Sequence, residues 1–180
     1  MLVVALEGAQ GVGKTTLLHS LEAAGYAVEG EVFCDVSNRP LHPQSFLNET
    51  VWVGEWFQRV MRRYPSPLLI VDRSPHSAVC YAHAHNTVLH SLVNAGVREL
   101  RDAGINIVTL NITCREDVLW NRVTERLARE PAREKLNEGS LEHLRMAMTF
   151  YDEHPWDHQV DNTDGGALER VLELLRKLAE

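Results

Sequence analysis

The sequence has little of what marks secreted, membrane-spanning or polyanion-coating proteins. Its three cysteines, Cys34, Cys80 and Cys114, are widely spaced and form no C-x-x-C pair. That excludes a disulfide framework and a zinc ribbon, and it points to a reduced, cytoplasmic protein. No run approaches the roughly eighteen apolar residues that a membrane helix needs, and the apolar start Leu2 to Leu6 has no basic residue before it to make a signal peptide. Lysine is scarce too. Only Lys14, Lys135 and Lys177 stand among 18 basic residues, so the rest are arginine, the side chain suited to planar, bidentate contacts with phosphate. Acidic residues outnumber basic ones 25 to 18, giving a net charge of −7, which argues against a nucleic-acid polymer or an anionic membrane as partner.

What is present is an ordinary globular composition, 44% hydrophobic and 24% charged over 180 residues. A chain of that length makes one domain and buries roughly 70% of the surface its unfolded form exposes. Five apolar stretches read as strands: Leu2 to Leu6, Tyr26 to Val28, Leu68 to Val71, Ile105 to Ile112 and a short one at His158 to Val160. Between them, apolar residues recur at helical spacing over Lys14 to Ala24, Pro43 to Arg63, Pro75 to Ala103, Arg115 to Arg129, Ser140 to Asp152 and Ala167 to Leu178. Strands with little alternation, separated by helices, imply right-handed crossovers and a parallel sheet covered on both faces. The polar stretch Arg129 to Gly139, broken by Pro131, reads as a mobile segment between two helices.

The strongest motif is Gly8-Ala9-Gln10-Gly11-Val12-Gly13-Lys14-Thr15, a complete G-x-x-x-x-G-K-[ST] placed after a buried strand and before a helix. Its glycines let backbone N–H groups turn inward, where they and the helix N-terminus cradle phosphate oxygens. Gly8, Gln10, Gly11, Val12, Gly13, Lys14, Thr15 and Thr16 are therefore the expected ATP-binding residues, with Lys14 on the β- and γ-phosphates and Thr15 on Mg²⁺. A second signal stands at the end of the third strand, Asp72-Arg73-Ser74-Pro75. Ligands of open α/β sheets bind at that edge. Asp72 is placed to hold Mg²⁺ through water or to accept a proton from an attacking hydroxyl, and Arg73 to hold an anionic group. Ser74 reads as a helix N-cap with Pro75 at the first helical position.

These motifs resemble those of the thymidylate kinase and deoxynucleoside kinase group of P-loop phosphotransferases. Glu7 to Thr16 looks like their phosphate loop, and Asp72-Arg73-Ser74-Pro75-His76-Ser77-Ala78-Val79-Cys80-Tyr81 is similar to the thymidylate kinase D-R-Y-x-x-S-x-x-x-Y, with Ser74 where that family has tyrosine. Deoxynucleoside kinases carry E-R-S there, so the chain looks intermediate. The resemblance implies a three-layer α/β P-loop NTPase fold over residues 1–180, with a five-stranded parallel sheet and a short lid at about 126–139. It also implies ATP and Mg²⁺ as cofactors, a small nucleotide or nucleoside as partner, and leaves a homodimer through the long helices open.

Arg122, Arg126, Arg129 and Arg133 recur at three or four, and a solvated face balanced by Glu125, Glu130 and Glu134 would account for that spacing. The resemblance instead casts Arg122 and Arg126 as lid arginines that close over the transferring phosphoryl group. Ser140-Leu141 and Tyr151 match the spacing of the thymidylate kinase helix that follows the lid. For the acceptor, Glu31 stands where deoxynucleoside kinases have a glutamate acting on the 5′-hydroxyl, and Glu29 is equally able to take that part. Trp56-Phe57-Gln58-Arg59 resembles the region where deoxynucleoside kinases read the base and thymidylate kinases bind phosphate, which makes Phe57, Gln58, Arg59 and Arg73 the expected substrate contacts. A nucleoside wants a nearby base, which Glu31 would supply. A monophosphate wants cations, which Arg73 with Arg59, Arg62 or Arg63 would supply, and the motifs lean towards this acceptor. The turn Asp161 to Gly166 either lies against adenine, as in related kinases, or simply caps the last helix. His76, His83 and His90 share a helical face too long for one metal, so they read as a solvated surface. A GTP-binding switch would need D-x-x-G after the third strand and N-K-x-D for guanine, and neither is present. A kinase for another small hydroxyl or phosphate compound is the remaining alternative.

Overall fold

A computed structural model of the chain describes residues 1–30, 41–82 and 86–178. The strands are β1 (Leu2–Glu7), β2 (Val28–Glu29), β3 (Leu68–Asp72), β4 (Asn106–Thr113) and β5 (His158–Asp161). They form one sheet in the order β2-β3-β1-β4-β5, and every neighbouring pair is parallel. The helices are α1 (Lys14–Ala23), α2 (Phe46–Arg62), α3 (His76–Tyr81), α4 (Asn86–Asp102), α5 (Glu116–Arg129), α6 (Leu141–Glu153) and α7 (Ala167–Leu178).

The central strand divides its side chains between two cores. Val4 and Leu6 pack with Leu17, Leu21, Leu119, Leu144, Val171 and Leu175, contributed by α1, α5, α6 and α7. Val3 and Ala5 pack with Trp52, Trp56, Leu89 and Val93, from α2 and α4 on the other face. Both faces of β1 are thus dry, which is why its sequence shows no alternation. No helix among the described residues is long and apolar enough to cross a membrane.

Two segments show local structure that the sequence pattern did not specify. Where one helix is expected over Pro75 to Ala103, the described residues form α3 and α4, and residues 83–85 lie outside the described residues. The polar segment expected to be mobile carries a 3-10 turn, Pro131–Leu136, followed by Asn137 in the left-handed region at φ 59°. Pro131 supplies a fixed φ at the start of that turn, so the residue that ends α5 also begins the next element.

Register sets the site. Leu6 pairs with Asp72, and Arg73 N donates to Leu6 O at 2.9 Å. The loop leaving β1 and the Asp72-Arg73 step leaving β3 therefore emerge side by side at the carboxyl edge of the sheet, the expected place for a ligand.

Candidate active site

The loop after β1 has the conformation its glycines allow. Gly8 sits at φ 132° and Gly13 at φ 101°, and a Cβ on Gly13 would meet Asn162 Nδ2 at 2.8 Å. A Cβ on Gly8 would collide with the Ile112 carbonyl. Both positions are closed to other residues by φ and by space. Lys14, 6% exposed, folds over this loop and donates to Gly8 O at 2.6 Å and Ala9 O at 3.1 Å. Thr15 Oγ1 donates to Asp72 Oδ2 at 3.3 Å. A hydroxyl and a nearly buried carboxylate side by side, both hard oxygen donors, fit Mg²⁺.

Behind Asp72 lies a buried polar network that the motifs do not reveal. Glu7 is completely buried, and its carboxylate accepts from Ser74 N (2.7 Å), Ser74 Oγ (2.5 Å), Ser77 Oγ (2.6 Å) and Tyr151 OH (3.2 Å). Burial pushes the Glu7 carboxyl up, against the pull of the Ser74 and Ser77 hydrogen bonds and the Arg73 charge. The same burial, reinforced by the Glu7 charge, raises the Tyr151 phenol well above its ordinary value, so it stays protonated. Arg73 completes the network: its Nη1 donates to Tyr151 OH at 3.0 Å and Ser77 Oγ at 3.3 Å, and its guanidinium lies 5.4 Å from the Tyr81 ring centre. Ser74 therefore does more than cap α3. Its Oγ accepts from His76 N at 3.2 Å while donating to Glu7.

Arg73 holds φ 67°, a left-handed conformation uncommon for a residue with a side chain. Both of its backbone groups are tied, N to Leu6 O and O to Trp56 Nε1 at 2.9 Å. Such strain persists only where the surroundings over-determine it, and it gathers at functional sites. Trp56 is thus a buried support for the Arg73 backbone, 1% exposed. It has no surface left for stacking on a base.

One cavity of about 1350 Å³ runs along this edge, lined by the phosphate loop, Asp72, Arg73, Arg122, Arg126, Arg129 and Arg133 among others. Arg122 Nη2 donates to Asn162 O at 3.1 Å and its Nη1 lies 3.5 Å from Cys114 Sγ. Asn162 Nδ2 in turn donates to Val12 O at 2.7 Å, and its Oδ1 accepts from Ala167 N at 3.3 Å. The turn before α7 is thus fastened to the phosphate loop and to Arg122, and Asn162 and Gly165 face the cavity. Arg126 reaches elsewhere, to Glu138, while Arg129 Nε donates to Glu125 O at 3.3 Å.

On α2 the cavity-facing residues are Glu49 and Trp52, both nearly buried. Of the expected substrate contacts Arg73 lines the cavity, and the three on α2 lie off it: Phe57 packs at Gly96 of α4, Gln58 is exposed, and Arg59 Nη1 donates to Gly30 O at 2.8 Å. Arg63 pairs with Glu29 at 2.7 Å and Arg62 is exposed. The helical period explains the miss, since Glu49, Trp52 and Trp56 occupy the inward stripe and Gln58 lies on the opposite side. Glu31 lies outside the described residues. Of the histidines, His76 is half-buried rather than fully exposed: its ring centre is 4.9 Å from that of His154, 6.5 Å from His90 and 6.4 Å from Trp156. His83 lies outside the described residues, and among those described no cluster of His, Cys, Asp or Glu is placed to hold a metal.

A phosphate loop on a five-stranded parallel sheet, with a carboxylate at the end of the adjacent strand, defines the P-loop kinase fold. A family model described as AAA domain matches residues 3–151, and the chain belongs to that family. Among solved structures the chain is similar to the deoxyadenosine kinase of M. mycoides with bound dATP, at a TM-score of 0.65 and 13% identity, covering 99% of this chain and 100% of that one. It is also similar to a gluconokinase from Sinorhizobium meliloti 1021, at a TM-score of 0.59 and 15% identity, covering 98% and 93%. A search of curated proteins found no match.

Proposed function

We propose that the protein is an ATP-dependent phosphotransferase that moves the γ-phosphoryl group of ATP to a nucleoside monophosphate. The observation that carries this reading is the convergence of Lys14, Thr15, Asp72, Arg73 and the lid arginines on one cavity. Lys14 would turn from the loop carbonyls to the β- and γ-phosphates, whose negative charge its ammonium attracts. Thr15 and Asp72 would hold Mg²⁺, whose charge offsets that of the β- and γ-phosphate oxygens. A phosphate oxygen of the acceptor, already anionic, would attack the γ-phosphorus as the bond to the β-phosphate oxygen breaks and ADP leaves. Arg73 holds the acceptor phosphate near that line, and Arg126 and its lid neighbours shield the equatorial charge from water.

A second reading, transfer to the 5′-hydroxyl of a nucleoside or to another small hydroxyl compound, is favoured by Glu49. This carboxylate is 1% exposed and lines the cavity, while Arg59, Arg62 and Arg63 do not. A hydroxyl acceptor must give up a proton, and a carboxylate in the cavity is suited to take it. A coupled ATP-consumption assay with Mg²⁺ across nucleosides, nucleoside monophosphates and gluconate separates the two. Turnover of monophosphates is the expected result. Turnover of nucleosides or of gluconate without monophosphates establishes the second reading, and silence across the panel overturns nucleotide and nucleoside acceptors alike and leaves a kinase for another small hydroxyl or phosphate compound.

A further inference from the structure

Arg126 and Arg133 come from different elements, α5 and the 3-10 turn, and among the described residues Glu138 is the side chain that joins them. Its Oε2 accepts from Arg126 Nη2 at 2.5 Å and its Oε1 from Arg133 Nη1 at 3.3 Å. Glu138 is only 7% exposed, and it follows Asn137, whose left-handed φ of 59° turns the chain back towards α5. Glu130 takes the other side of Arg133, from Nε at 2.5 Å. All three partners, Arg126, Arg133 and Glu138, line the same cavity as Lys14 and Asp72.

Two guanidinium groups are bound to the two oxygens of one carboxylate, and in a half-buried setting like charges brought to the same side chain would repel without it. The carboxylate does not use up their donors. Each guanidinium has five N–H bonds, and Arg126 Nε is buried with no hydrogen-bond partner in this arrangement. We propose that Glu138 is a positioning residue for phosphoryl transfer: it draws Arg126 and Arg133 together into one two-arginine clamp on the cavity wall. The proposal rests on the kinase reading for its consequence and on the Glu138 hydrogen bonds for its geometry. The clamp acts on charge that grows in the transition state, so its loss falls on kcat more than on ATP binding.

The test compares wild type with Glu138→Gln and Glu138→Asp. Glutamine keeps the shape but turns an N–H towards one arginine; aspartate keeps the charge. We expect Glu138→Gln to lower kcat roughly ten- to a hundredfold with the KM for ATP within about threefold, and Glu138→Asp to recover part of that loss. A folded Glu138→Gln with wild-type kcat, or with faster turnover and tighter ATP binding, overturns the proposal. The last outcome would make the carboxylate a competitor of the phosphate. Nitrogen-15 spectra of the arginine side chains give a readout that needs no turnover: slow guanidinium rotation at Arg126 and Arg133 should disappear in Glu138→Gln. Unchanged resonances refute the clamp. A wild type that phosphorylates nothing refutes the kinase reading and leaves this spectroscopic test standing.

Discussion

Replacing Tyr151 by phenylalanine removes one oxygen from the middle of the Glu7 network and little else, because the ring is 3% exposed and the cavity left is smaller than a water. That oxygen accepts from Arg73 Nη1 at 3.0 Å and lies 2.9 Å from Ser77 Oγ and 3.2 Å from Glu7 Oε2. Hydrogen bonds to charged groups are worth about 1.5–3 kcal/mol each. Ser77 remains to serve both Arg73 and Glu7, so the net loss is set near the cost of one such bond, about 2–3 kcal/mol. For a domain of this size that lowers Tm by about 4–12 °C. Arg73 is also released on one side, so the KM for the acceptor should rise several-fold while the KM for ATP stays near wild type. Thermal unfolding followed by circular dichroism, with steady-state kinetics at saturating ATP, measures both. A Tm within 1 °C of wild type would refute the view that the hydroxyl anchors this network. An unchanged acceptor KM would refute the placement of Arg73 at the acceptor.

Lys14→Ala and Asp72→Asn should each abolish turnover while leaving the circular dichroism spectrum unchanged; wild-type-like turnover in either sinks the phosphate-loop assignment. Arg122→Ala and Arg126→Ala should lower kcat more than they weaken ATP binding, and a change confined to KM counts against a lid role. Acid should destabilise the protein through His76, whose imidazole is pushed down to about 4 by burial and by the neighbouring His154 and His90, with Asp157 pulling the other way. The folded state then disfavours the proton that the unfolded chain binds near 6.5. Stability from this group is complete above that value and falls as pH drops towards 4, by at most about 3 kcal/mol. Burial also lowers His154, which packs on His76, so it adds to the same slope. His76→Gln should flatten Tm against pH over that window, and an unchanged slope would refute the assignment.

Local signals carried well because local chemistry decided them. The phosphate loop was legible from glycines that only positive φ and close packing require, and Asp72 from its place at the end of an apolar run. β5 was readable as the three residues His158 to Val160, one short of the strand that forms, and its pairing with β4 from Leu110↔His158 to Thr113↔Asp161 could not be read. Which face of α2 looks into the cavity was not legible from the motifs, for a geometric reason. The resemblance of Trp56-Phe57-Gln58-Arg59 points to Phe57, Gln58 and Arg59, but the buried stripe of α2 runs through Glu49, Trp52, Trp56 and Val60, and that stripe decides which side chains face inward. Periodicity of apolar residues would have pointed to Glu49, a carboxylate on the apolar stripe of an amphipathic helix.

The two acids that organise the site were harder to see, because each acts at a distance in sequence. Glu7 meets Ser74 and Tyr151 only after β1 and β3 have paired and α6 has docked. Glu138 meets Arg126 across the 3-10 turn. Both hold arginines that face the cavity, and this gives the scarcity of lysine a physical meaning. An ammonium donates from one nitrogen, whereas a guanidinium spreads five donors over a planar group: Arg73 gives Nη1 to Tyr151 and Ser77, and Arg126 gives Nη2 to Glu138. Arg73→Lys should therefore keep the charge and still lose most of the acceptor binding, since lysine cannot be held by the network and reach the acceptor together. Acceptor KM values for Arg73→Lys and Arg73→Ala measure this. If lysine restores the wild-type value, charge alone suffices, and the buried Glu7 network has no part in aiming the arginine.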